Sequence, residues 1–238
     1  MNFLLLYPSE CCGTSAVVTG QRAAELMEMH HLIPGIDVAG GVIDGKLGSV
    51  HVSNCSDTEI QLSINFERLP PPKNGLSLII ATPRPPTVKK ILHLAAMTGV
   101  EEVHFIRTEN VVPSYLQTKM LASPNIEKDL VFGLSQAGDT VLPKVYIHPK
   151  FHSFLENAVP DLPQCRLVAD LAGGVFDSQA MMSPAALAFG PESGWTENEL
   201  KCLKSQWFSA VSLGPRMLRV EVAVGLFVGA LTVPIRPL

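Results

Sequence analysis

The chain has few of the features that would announce a function directly. It contains no CxxC pair, no GxSxG nucleophile elbow and no GxGxxG dinucleotide loop among its 238 residues. Serine hydrolysis and a Rossmann cofactor fold therefore gain no support. Charged residues make up only 17% against 47% hydrophobic, which excludes a disordered chain and leaves enough apolar surface for a sizeable core. Positive charge is not in excess, with 18 Lys and Arg against 22 Asp and Glu. That excludes broad, unspecific nucleic-acid binding but leaves room for a local basic site. The five cysteines are odd in number and irregularly placed, and the neighbours Cys11 and Cys12 cannot bridge without strain. A reducing, cytoplasmic setting is expected. The first residues, MNFLLLYPSE, lack a basic leader and read as a strand. The apolar run near the C-terminus falls well short of the roughly 20 residues that a membrane span needs, and no membrane association is expected.

The pattern changes once along the chain. In the first 70 residues, LMEMHHL (26–32) suits a brief helix, and IDVAGGVID, GSVHVSN and EIQLSINFE alternate as strands, with breaks at Asp44-Gly45 and Ser53-Asn54. This part carries three basic residues, Arg22, Lys46 and Arg68, against eight acids. LPPPKNG (69–75) is a proline-rich break, which puts one domain at 1–70 and a second at 75–238. Beyond it, LSLIIAT is a continuous apolar strand of the kind buried on both faces of a parallel sheet. Helical spacing follows in TVKKILHLAAMTG, where Val88, Ile91, Leu92 and Ala95 share one face. Strands and helices then alternate to the end, which predicts an α/β domain with a mostly parallel sheet.

Several motifs carry less than they promise. GGVIDGKL (40–47) nearly spells a phosphate loop, but Leu47 stands where the metal-binding hydroxyl is required, and Asp44-Gly45 reads as a hairpin turn. His148 and His152 have i, i+4 spacing, yet Pro149 follows the first and no third metal ligand is near. His30-His31 is equally plain, although it stands where an RNA-facing surface would be.

Two glycine turns carry more. AFGPESGW (188–195) follows a buried strand and leads into Thr196 and Glu199, a capping box. SLGPRMLR (212–219) follows the last strand and opens an apolar terminal helix. Both belong at the carboxyl edge of the sheet, where open α/β folds bind ligands, and Gly190 and Gly214 leave the backbone approachable.

Taken together, AFGPESGWTENEL and VSLGPRMLRVEVAV resemble the C-terminal signature of the family that methylates N3 of a uridine in 16S ribosomal RNA, a branch of the knotted SPOUT methyltransferases. The first block departs from the pattern at Ser193, where glycine is usual, and the second at Val222, where threonine is usual. LSLIIATPRPPTVKKILHLAAMTGVEEVHFI, NVVPSYLQTKML, GLSQAGDTVLPKV and RLVAD extend the resemblance over most of 75–231. The first 70 residues are similar in length and pattern to the family's PUA-like RNA-binding barrel. The resemblance implies a deep trefoil knot through which the terminal helix passes, a homodimer, and S-adenosylmethionine held mainly by backbone groups. It places cofactor binding at Gly190, Pro191 and Glu192 of the first turn, and at Ser212, Leu213, Gly214, Met217 and Leu218 of the second. Arg216, Arg219 and Glu221 become the catalytic candidates. The arginines would stabilise charge or grip RNA, and Glu221 would orient an arginine or relay a proton. The implied substrate is ribosomal RNA or the small subunit. A relative that keeps the knot without the activity, as an assembly or interaction protein, is the alternative.

Overall fold

A computed structural model describes residues 3–177 and 183–232. The chain divides into two compact units, 1–72 with 131–142, and 73–130 with 143–238.

The first unit is built on a six-stranded sheet in the order β1-β4-β5-β6-β3-β2. Its strands are β1 (Phe3–Leu6), β2 (Cys11–Cys12), β3 (Ser15–Thr19), β4 (Asp37–Val42), β5 (Leu47–Ser56) and β6 (Glu59–Arg68), with helix α1 (Gly20–His30) after β3. β1 pairs parallel with β4, and the other pairs are antiparallel. Alternation aims Val50 and Val52 of β5 and Ile60, Leu62 and Ile64 of β6 at one core, which Ala23 and Leu26 of α1 complete. The helix is longer than LMEMHHL suggested, and His31 ends it in the left-handed conformation at φ 50°. Ser53-Asn54 is not a break. It lies inside β5, at an irregularity between Val52 and Asn54, and the chain turns later, between Ser56 and Glu59. A bulge leaves an extra residue in the strand without ending it, and composition alone cannot tell the two apart. Asp44-Gly45 does turn the chain between β4 and β5, with Asp44 at φ 56°.

The second unit contains β7 (Leu76–Ala81), α2 (Pro85–Met97), β8 (Glu102–Ile106), β9 (Lys144–His148), α4 (Phe151–Asn157), β10 (Cys165–Val175), β11 (Ala185–Phe189), α5 (Glu197–Ser205), β12 (Ser209–Ser212) and α6 (Val220–Thr232). A further helix, α3 (Ser123–Ala137), spans the boundary between the units. The sheet order is β12-β10-β11-β7-β8-β9, and every pair is parallel. β7 and β11 are buried along their whole length, as strands covered on both faces must be. Ile79, Ala186 and Ala188 face α4 and α5, through Phe154, Leu155 and Leu203. The alternate residues face the other way, where Phe189 meets Phe227 of α6 edge-on, with ring centroids 5.5 Å apart. On α2, Val88, Ile91, Leu92 and Ala95 are fully buried, as their spacing predicted, and Gly99 follows the helix at φ +70°.

From β7 the chain builds outward through β8 to β9, then crosses back to build β10, β11 and β12 on the other side. The carboxyl ends of β7 and β11 therefore flank a reversal of strand order, where open sheets leave a crevice.

Candidate active site

The three strand ends on one side of that reversal enclose a cavity of about 520 Å³. Its wall is made by Ala169–Leu171 within β10, by the turn that follows β11, and by the turn that follows β12. All of Gly190, Pro191 and Glu192 from the first turn line it, as do Ser212, Leu213, Gly214, Met217 and Leu218 from the second. Arg216 and Arg219 also line it, whereas Glu221 does not.

Local chemistry shapes both turns. The N–H of Gly194 donates to the carbonyl of Pro191 at 2.8 Å, and Gly194 itself takes the positive φ, +79°. Ser193 therefore sits inside the turn without needing a glycine's backbone. The indole of Trp195 lies over Gly190, where an added Cβ would come within 3.0 Å of its Nε1. That Nε1–H donates to the carbonyl of Ala169 at 3.3 Å and ties the turn to β10. Thr196 then caps α5. Its hydroxyl accepts from the N–H of Glu199 at 3.2 Å, while the buried Glu199 carboxylate accepts from the N–H groups of Thr196 at 2.9 Å and Glu109 at 2.7 Å. In the second turn the Ser212 hydroxyl accepts from the N–H of Gly214 at 3.2 Å, and its oxygen lies 3.0 Å from the Gly214 carbonyl, to which it donates. Gly214 has φ +125°, a conformation that a side chain opposes. The Arg219 carbonyl accepts from the N–H groups of Val222 and Ala223, which closes the first turn of α6 without a hydroxyl at position 222.

β10 supplies a wall that no motif announced. Ala169 and Gly174 both pair with Val211 of β12, so the residues between them bulge out of the ladder. The Asp170 carboxylate accepts from the N–H of Ala172 at 2.8 Å within the bulge, and Asp170 and Leu171 reach the cavity. The repeated small residues of LAGG (171–174) were the only sequence signal for it.

A second hollow of about 310 Å³ shares Glu192, Arg219 and Val220 with the first. Glu221 lines this one, with Arg84, Pro86, Thr87 and Lys90. Its carboxylate accepts from the Lys90 ammonium at 3.0 Å, and that contact, helped by Arg219 nearby, holds its pKa below the usual glutamate range. Across the hollow, Glu192 accepts from Arg84 Nε at 3.0 Å. Arg84 and Lys90 lie in the segment LSLIIATPRPPTVKKILHL that carried the resemblance, but neither was singled out there as a site residue.

The histidines noted in the sequence stand apart from both hollows. His148 ends β9, with its Nε2 3.0 Å from Nδ1 of the buried His104. Burial and the neighbouring ring push its pKa down to about 4. His152 is exposed on α4. His30 is buried in α1, and desolvation lowers its pKa, so it faces the core and not a nucleic acid. No cluster of three metal-ligating side chains occurs among the described residues.

Helices on both faces of a parallel sheet, with glycine turns opening a cavity at its carboxyl edge, define an α/β protein with a ligand-sized cavity where such folds bind ligands. The family can be stated as well. An RNA methyltransferase domain matches residues 70–232, and the chain belongs to that family. It is 30% identical over 94% of its length, and 87% of the relative's, to the ribosomal RNA small subunit methyltransferase E of Treponema pallidum. The enzyme of the same name from Synechocystis is 26% identical over 92% of this chain and 73% of its own. In fold the chain is similar to ribosomal RNA small subunit methyltransferase E of Neisseria gonorrhoeae, solved with S-adenosyl methionine (TM-score 0.75, 18% identity, 95% of each chain). A putative methyltransferase of Legionella pneumophila, solved in complex with the same cofactor, is similar too (TM-score 0.77, 17% identity, 97% of each chain).

Proposed function

We propose that the protein transfers a methyl group from S-adenosylmethionine to N3 of a uridine in small-subunit ribosomal RNA. The observation that carries the reading is the convergence of GPESGW and SLGPRMLR on one cavity, in a chain whose relatives are named small-subunit rRNA methyltransferases. The cavity suits the cofactor. Its volume lies within the roughly 300–1,000 Å³ usual for ligand sites, Gly190 leaves no room for a side chain beneath Trp195, and the Gly214 turn presents backbone to the hollow.

When bound, the cofactor supplies an electrophilic methyl group on a sulfonium. Gly190, Pro191, Glu192, Ser212, Leu213, Gly214, Met217 and Leu218 hold it, chiefly through backbone groups, and fix the approach of the nucleophile. Uridine N3 carries a proton, and its loss leaves negative charge on the ring. Arg219, and Arg216 beside it, stabilise that charge with fixed guanidinium groups. A Glu221 carboxylate held ionised by Lys90 is a weak base, which favours a role in positioning cations over proton relay.

The reading extends to assembly and location. α6 is apolar nearly all round. Val220, Val224, Phe227 and Val228 are buried, while Val222 and Leu226 are 44% and 50% exposed on another side. A helix of that composition belongs between two partners, and the second is another copy of this chain. A trefoil knot, with α6 as the threaded segment, is part of the same proposal, as is a PUA-like, RNA-binding role for residues 1–70. No described helix is long and apolar enough to cross a membrane, and a cytoplasmic location suits a ribosomal substrate. Sedimentation should find a dimer, and Leu226→Glu should shift it to monomer; a wild-type protein that sediments as a monomer removes the dimer from the proposal.

Two measurements test the function. Calorimetry should show S-adenosylmethionine binding, and primer extension on rRNA from a deletion strain should lose one modification stop. An unchanged set of stops would refute the substrate assignment, and absence of cofactor binding would leave only a non-enzymatic relative.

A further inference from the structure

An RNA-binding role for the first unit leaves most of the phosphate contacts to be supplied elsewhere, because it offers few cations. It is rich in acids, and one of its few cations is committed elsewhere: Arg22 donates to Glu10 at 2.6 Å and to the Leu5 carbonyl at 2.8 Å, and lies over the Tyr7 ring. Phosphate contacts that position a nucleic acid need exposed Lys and Arg. The 310 Å³ hollow supplies them beside the cofactor cavity.

Arg84 immediately precedes α2, and Lys90 stands in its second turn. Their side chains are 65% and 57% exposed. Each is aimed into the hollow by one carboxylate, Glu192 for Arg84 and Glu221 for Lys90. Both carboxylates come from the segments that build the cofactor cavity, so the two cations are held in register with the place where a methyl group would be transferred. The Arg84–Glu192 pair is exposed on both sides and such pairs contribute about 0–1 kcal/mol, so Arg84 can turn donors to an incoming phosphate at little cost. The Glu221 side chain is mostly covered, so Lys90 keeps that partner and offers the phosphate another of its three N–H donors. Arg219 and the first turn of α2, at Pro86 and Thr87, close the remaining wall.

Resting on the methyltransferase reading, we propose that this hollow is the phosphate seat for the RNA strand at the target nucleotide, with Arg84 and Lys90 as its ligands. The seat fixes the strand so that the base enters the adjoining cavity. Arg84 and Lys90 are thus specificity and affinity residues for RNA and have no part in holding the cofactor.

The test uses the full-length protein, S-adenosylmethionine and a small-subunit rRNA fragment that the wild type methylates. Arg84→Gln and Lys90→Gln should each raise KM for RNA about tenfold, the loss expected for one charged hydrogen bond, and leave the calorimetric Kd for the cofactor unchanged. Each should also flatten the slope of log affinity against log salt by about 0.7, the value for one phosphate contact on a single strand. Lys90→Arg should keep both parameters near wild type because it retains the charge, and the salt slope of Lys90→Gln separates a phosphate contact from a merely structural role, which would leave the slope unchanged. Wild-type KM and salt slope in both Gln variants would overturn the phosphate seat while leaving the methyltransferase standing. A wild type that binds cofactor but no RNA would overturn the seat together with the RNA substrate. Loss of cofactor affinity in the variants would show that the hollow serves the cofactor, and would also overturn the proposal.

Discussion

Gly173→Ala should lower the stability of the protein by about 2–3 kcal/mol, whereas Gly174→Ala should stay within about 0.5 kcal/mol of wild type. The two positions are neighbours with the same side chain, and only their surroundings differ. A Cβ on Gly173 would lie 2.5 Å from the backbone nitrogen of Val211, 2.7 Å from the carbonyl carbon of Ala210 and 2.8 Å from that of Val211. These are main-chain atoms of a paired strand and cannot rotate aside, so β10 and β12 must separate. A Cβ on Gly174 would meet its nearest atom, the Ala210 oxygen, at 3.9 Å, an ordinary contact. The damage should also reach the ligand. Gly173 closes the bulge from which Asp170 and Leu171 reach the cavity, and a displaced wall should weaken S-adenosylmethionine binding about tenfold or more, some 1.4 kcal/mol. Urea unfolding and calorimetry on both variants measure this. Equal behaviour of the two alanines would mean that the bulge does not pack against β12 as described.

The sequence disclosed what repeats locally and concealed what is assembled over distance. The apolar stripe of α2, the buried runs of β7 and β11 and the capping box at Thr196 all follow from period and spacing within a dozen residues. The two glycine turns could be assigned to the sheet's carboxyl edge because each directly follows a strand. Their common cavity could not be read from spacing, since it depends on strand order. The partners of the charged groups were hidden for the same reason. Arg84 and Glu192 are 108 positions apart, and Lys90 and Glu221 are 131 apart. Glu221 was thus legible as a charge at a helix start, but not as the counter-ion of a lysine on α2. Trp195 was legible only as the end of AFGPESGW, and only the fold puts its indole over Gly190. The segment 131–142 belongs with the first unit, through contacts such as the Thr140 hydroxyl donating to the Gly45 carbonyl at 2.6 Å. No composition shift marks it.

Arg219→Ala should reduce the methylation rate constant about 100- to 1,000-fold, the loss typical of one preorganised donor aimed at developing charge. The change is clean because the backbone of Arg219, not its side chain, secures α6: its carbonyl accepts from Val222 and Ala223, and alanine preserves both bonds. Fold and dimer should survive. Arg219 lines both hollows, the proposed cofactor cavity and the proposed phosphate seat, which is where the proposed mechanism puts charge on the uracil ring. Two roles are then distinguishable. A residue that only grips phosphate raises KM for RNA and leaves the rate at saturation intact. A residue that stabilises the deprotonated ring makes the bound uridine more acidic, so removing it should move the rising limb of the rate–pH profile to higher pH. Alkaline conditions should then restore part of the lost rate. Single-turnover measurements at saturating RNA and cofactor across that range separate the two. A flat loss at every pH would argue against charge stabilisation, and wild-type turnover would remove Arg219 from the catalytic residues. Glu221→Gln is the companion measurement. If its carboxylate only positions Lys90, the variant should raise KM for RNA without moving the pH profile, because an ionised glutamate tied to an ammonium has no proton to exchange near neutrality.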